Sequence, residues 1–279
     1  MRVTLSLRRL RRSVRAGRSD APGPAIDLLG RIGLVSYGVV HLVVAWLAVR
    51  AALGAPEGSA DAQGAVAEIA ATGAGAVGLV VIAVGLVAFA VWQLSAAWWG
   101  FRWVSGGERV RKRVGAVSKA AAMLALAGVT VAFLFSGRRS GDAGARETVA
   151  DVLVLPAGRL LVLLGGVVIG IVAVTMTYTG VRRTFMGDLD VRQVPSAVRR
   201  LIEVVGALGH VARAVALAVV GILVVTAAVA SDAERAGGLD AALRALAETP
   251  LGPFLVVAVA LGFGAFGLYC VADAALRRA

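Results

Sequence analysis

Six long apolar runs punctuate this chain, near residues 31–53, 75–100, 114–136, 157–181, 204–230 and 252–275. Each contains about 20 mostly apolar residues, the number a helix needs to cross a hydrocarbon core of about 30 Å. Backbone inside lipid must satisfy its own hydrogen bonds, so runs of this kind form helices or a closed barrel. Barrel strands alternate apolar and polar residues over about 10 positions. None of these runs alternates, and the pattern predicts six helices. Between the two runs of each successive pair lies a shorter amphipathic stretch, at 62–72, 145–155 and 239–249. Val66 with Ile69, Val149 with Val152 and Leu153, and Leu239 with Leu243 and Leu246 stand at helical spacings there. Gly73, Pro156 and Pro250 follow, where a helix must stop and the chain turn into the next run. Three short in-plane helices on one face are therefore expected.

The pairs repeat. Gly33, Gly115 and Gly209 open the first run of each pair, and Gly85, Gly170 and Gly262 stand at one aligned position in the second runs. From the first pair to the third the offset is 176 residues for one glycine column (33 to 209) and 177 for the other (85 to 262), a constancy that duplication explains. The resulting organisation is a basic segment at 1–26, hairpin repeats at 27–104, 109–185 and 201–279, and a linker at 186–200. Because each unit has two spans, all three enter the membrane from the same side. The expected fold is an all-α, polytopic membrane protein, six transmembrane helices as three parallel hairpins about a pseudo-threefold axis along the membrane normal.

The residues also carry a resemblance. Ser-Tyr-Gly-Val-Val-His at Ser36–His41 and Gly-Leu-Val-Ala-Phe-Ala-Val-Trp at Gly85–Trp92 resemble the repeat of the bacterial membrane family catalogued as domain of unknown function 1206. That repeat usually reads close to Ala-Arg-Gly-Val-Val-Tyr and Gly-Leu-x-Ala-Tyr-x-x-Trp. Tyr37 and His41 stand where the family usually has Arg and Tyr, and the second and third units are looser. The resemblance covers roughly residues 27–276. It implies an integral membrane protein of three hairpin repeats, and no established activity comes with it.

Composition agrees, with 59% hydrophobic residues and a mean hydropathy of +0.84. A net charge of +12 raises the question of nucleic acid, and its distribution answers it. With the N-terminus assigned to the cytoplasm, 22 of the 29 Lys and Arg fall in the first 31 residues, in 102–119, in 182–213 and in the C-terminal tail. That asymmetry is the positive-inside pattern. It places the protein in a bacterial cytoplasmic membrane as a multi-pass protein with both termini cytoplasmic, its partners the bilayer and anionic headgroups on the cytoplasmic side, with no nucleic acid. The first apolar run is too long for a cleaved signal and reads as an uncleaved span. Leu7, Leu10 and Val14 in the Arg-rich lead have the spacing of a short interfacial helix, with a disordered basic tail or a start placed too early as the alternatives. Asparagine is absent and Lys112 and Lys119 are the only lysines among 29 cations, so codon supply has shaped the composition and the abundance of glycine counts for less. One cysteine, Cys270, permits no internal disulfide.

Catalytic spacings are absent: no His-Glu-x-x-His, no Gly-x-Ser-x-Gly, no Walker loop, no paired cysteines. Asp188-Leu-Asp190 is too common a polar-loop pattern to mark a metal, and no cofactor is expected. The repeat alignment yields three polar columns instead. Tyr37, Lys119 and Arg213 share one position about 5 Å inside the cytoplasmic boundary of the core, where long cations snorkel to headgroups or gather into a headgroup or anion site. One turn deeper stand His41, Met123 and Leu217, and His41 is expected to bond a neighbouring carbonyl. In the second spans the column is Gln93, Tyr178 and Cys270, side chains able to bond between helices. Asp273 stands four before Arg277 as a local pair. These residues predict a non-enzymatic structural or interaction protein, packing with itself or another membrane protein. The alternative is a transporter or lipid-handling protein with an axial cavity between the hairpins.

Overall fold

The computed structural model describes residues 24–53, 60–73, 75–100, 105–136 and 141–277. The Arg-rich lead with Leu7, Leu10 and Val14 lies outside them. Six long helices form where the apolar runs are: α1 (Pro24–Ala52), α3 (Gly75–Trp99), α4 (Gly106–Ser136), α6 (Gly158–Arg182), α7 (Ser196–Ala230) and α9 (Gly252–Leu276). Each is long and apolar enough to cross a membrane. The three short helices form as well, α2 (Ala62–Ala70), α5 (Gly141–Leu153) and α8 (Leu239–Ala247), and each ends before the Gly or Pro that its sequence marks. With six spans, residues 24 and 277 lie at one end of the bundle, called here the basic end, and α2, α5 and α8 lie at the other.

The packing order of the spans differs from their chain order. α4 lies on α3, α3 on α1, α1 on α9, α9 on α7 and α7 on α6. The first and third pairs of spans therefore pack as hairpins, whereas no comparable packing joins α4 to α6 among the described residues. The aligned glycines mark the same difference. A Cβ on Gly33 would collide with the Gly85 carbonyl and Phe89, and one on Gly262 with Ala212, so these two hairpins cross at backbone distance. Gly115 and Gly170, the second unit's counterparts, have nothing within 4 Å of such an atom. In their most apolar stretches α1, α3 and α9 are 50 to 56% buried, against 22% for α4 and 17% for α6. The six helices thus form an arc whose two ends, α4 and α6, leave a seam.

Both ends of that seam are bridged. At the basic end a 3₁₀ turn (Thr184–Asp188) follows α6, and Asp188 pairs with Lys112 of α4 at 3.6 Å. At the opposite end Asp61, the N-cap of α2, accepts from the Gly141 amide that opens α5 at 3.0 Å, and α2 itself packs on α4. The linker at 186–200 is less loop-like than its polar sequence predicts. Phe185, just before it, and Leu189 within it are buried, and the Asp190 amide donates to the Leu276 carbonyl at 2.7 Å, docking the linker on the end of α9.

Candidate functional site

Gly38 sits in the close crossing of α1 with α9, its Cα facing the Gly267 carbonyl and the Cys270 Cβ. That crossing brings the two helices against the part of α7 that carries Arg213. Arg213 donates through Nη2 to the Tyr37 hydroxyl at 2.7 Å and lies over the Phe266 ring at 4.0 Å. A charged donor to a hydroxyl together with a cation over an aromatic face is strong enough to hold a guanidinium inside a bundle. Arg213 accordingly does not extend to the headgroup layer as its depth alone predicts.

Lys119 has a different setting. It stands seven residues, about 10 Å, along α4 from Lys112 and on the same face, and its side chain is exposed. It has no hydrogen-bond or ion-pair partner among the described residues, yet Arg213, Asp273, Arg277 and Asp188 all lie within electrostatic reach of it. A group within electrostatic reach of α7, α9 and the linker at once lies on the side of α4 turned toward those elements. The charges around it pair off locally: Lys112 with Asp188 at 3.6 Å and Arg277 with Asp273 at 3.1 Å. Lys119 and Arg213 are left with no carboxylate in contact among the described residues.

The other predicted positions divide. His41 is buried, its Nδ1 donating to the Tyr37 carbonyl at 2.9 Å, its ring stacked on Phe263 and edge-on to Tyr37. Cys270 is buried beside Gly38, near Tyr37. Gln93 is buried with Nε2 unpartnered. Tyr178 is not with them: at 49% exposure it lines an open hollow on α6 with Val174, Thr177, Val181 and Arg182. One unit's member is therefore missing from the interior, because α6 packs on α7 and not on α4. His210, not singled out by the alignment, repeats the His41 arrangement, donating to the Gly206 carbonyl at 2.7 Å and stacking on Phe185. Arg31, read only as part of the basic lead, donates to the Ala274 and Ala275 carbonyls at 2.7 and 3.1 Å and caps α9.

Three buried aspartates at the opposite end escaped the sequence reading. Asp61 accepts from the Gly141 amide; Asp142 accepts from the Gly238 and Ala241 amides at 2.8 and 3.2 Å; Asp240 accepts from the Ala60 amide at 3.0 Å and pairs with Arg244. Each carboxylate reaches the next unit in turn. The available signal was weak: Asp-Ala stands at the start of each short helix, at 61–62, 142–143 and 240–241, but the same dipeptide also occurs at 20–21, 232–233 and 273–274.

Comparison with known proteins adds a family and no activity. The family model described as Domain of Unknown Function (DUF1206) matches residues 32–100 and 208–277. The chain is 28% identical over 251 residues to "Uncharacterized protein YxxB" of Bacillus subtilis (strain 168), covering 89% of this chain and 90% of that protein. No solved structure matches.

Proposed function

We propose, from the premise that residues 32–100 and 208–277 belong to the DUF1206 family, that this six-span protein is a non-enzymatic interaction protein of the bacterial cytoplasmic membrane, built to hold a membrane component in the seam between α4 and α6. The observation that carries this reading is the unpacked second unit: Gly115 and Gly170 occupy the columns at which the other two hairpins close, and here they face open space. On α4 Gly115, Lys119, Ala122 and Leu126 follow at three- and four-residue steps along one face, and on α6 the exposed Leu164, Val167, Ile171 and Val174 do the same. Apart from Lys119, the two helices thus present apolar faces that no other described element covers.

The same reading assigns the basic end to the cytoplasm, with both termini there, and relates three repeats by a pseudo-threefold axis. Three features support the threefold: the interfaces α3 with α4, α6 with α7 and α9 with α1 are equivalent under such a rotation, the three aspartates link the units in one cyclic direction, and the two family matches begin 176 residues apart, at 32 and 208.

The seam is tested by distance. Spin labels at Ala122 and Ile171, in a Cys270→Ala background and phosphatidylcholine nanodiscs, should give a longer and broader distribution than labels placed across the packed α6–α7 pair. A distribution as short and narrow as that control would overturn the reading.

A further inference from the structure

We infer that the seam admits an anionic phospholipid, whose phosphate is held between Lys119 and Arg213 while its acyl chains lie between α4 and α6; this rests on the seam proposed above. The charge balance carries the inference. Lys112 and Arg277 have Asp188 and Asp273, and Glu203 is shared by Arg183 and Arg199. Lys119 and Arg213, from helices at two different places in the arc, remain as accessible cations within electrostatic reach of one another. Arg213 uses one N–H on Tyr37 and, in contrast to Arg277, has no nitrogen that is both buried and unbonded. Two like charges inside a low-dielectric bundle repel and lose hydration, and one phosphate bridging them offsets both costs through charge-assisted hydrogen bonds.

A lipid fits better than a free anion because of where the opening lies. The Lys112–Asp188 pair bridges the seam at the basic end and the Asp61–Gly141 bond at the other, so the approach that is open to Lys119 runs through the plane of the bilayer. That approach is lined by small and apolar side chains, Ala122 and Leu126 on the Lys119 face of α4 and Val174 on α6. The basic end, assigned to the cytoplasm, also faces the leaflet with the negative surface potential.

The full chain in nanodiscs tests this. Native mass spectrometry and melting temperature are compared in phosphatidylcholine alone, in phosphatidylcholine with phosphatidylglycerol, and in phosphatidylcholine with inorganic phosphate. Phosphatidylglycerol should be retained and raise the melting temperature, inorganic phosphate should not, and Lys119→Gln should weaken retention by about tenfold, the effect of losing one charged contact. Lys119→Gln removes an exposed, unpartnered group, so folding is preserved; Lys119→Arg should restore retention. Stabilisation by inorganic phosphate alone would overturn the lipid assignment. Retention unaffected by Lys119→Gln, or a dimer that carries no lipid, would overturn the site. The spin-label distance is measured without anionic lipid, so an open seam that ignores phosphatidylglycerol refutes this inference and leaves the seam standing.

Discussion

At the scale of single residues, polar groups inside this bundle are satisfied by the nearest backbone before anything else. His41 and His210 each use Nδ1 on the carbonyl four residues earlier and place the ring against aromatic side chains. The rings around His41 are Tyr37, Phe263 and Phe266, with no carboxylate among its contacts with the described residues. A proton carrier in such a place needs a partner for its charged form. His41→Leu, which keeps the volume and gives up one hydrogen bond, should shift stability by no more than about 1 kcal/mol, read as a nearly unchanged melting temperature. Proteoliposomes of either form should show no proton flux above empty vesicles; a wild-type flux abolished by the substitution would assign His41 to transport.

Among elements, one sequence position has opposite consequences in two units. Gly33 lies where α1 and α3 touch backbone to backbone, and an added methyl meets the Gly85 carbonyl and the Phe89 Cβ. Rigid backbone cannot yield as a flexible side chain does, so Gly33→Ala should destabilise by about 1–3 kcal/mol through overpacking. Gly115 occupies the aligned position in α4 with nothing near it. There the same change adds helix propensity alone, and Gly115→Ala should be neutral or stabilising by up to about 1 kcal/mol. Thermal unfolding of both variants in detergent compares them directly, and equal losses would mean that α4 and α6 close in solution as the other hairpins do.

For the whole molecule, orientation follows from charge, and reporter fusions measure it. Reporters active only outside the cytoplasm should be active after residues 58, 142 and 236 and silent after 107 and 190, because the basic loops stay on the side of synthesis. Activity at 107 would refute six spans. With six spans, Asp142 and Asp240 sit on the outer face, where the aspartate cycle joins the three units. The linkage explains how α4 and α6 remain attached to one body without packing on each other.

The sequence by itself determined the number of spans and the three short helices, because apolar length and Gly or Pro breaks are local properties; α1, α4 and α7 nevertheless begin seven or eight residues before their apolar runs, in polar sequence that marks no span. It also marked Tyr37, Lys119 and Arg213 as one column, since duplication leaves a register that alignment recovers. It did not determine which members meet. Tyr37 and Arg213 are hydrogen-bonded while Tyr178 lies outside the interior of the bundle, and that outcome depends on whether two hairpin arms close. Closure is decided by the sum of packing across every neighbouring helix, and identical glycines are compatible with either result. The aspartate cycle was hidden for the same reason: Asp142 is an ordinary first-turn acid in its own helix, and only the fold brings the Gly238 and Ala241 amides within reach of it.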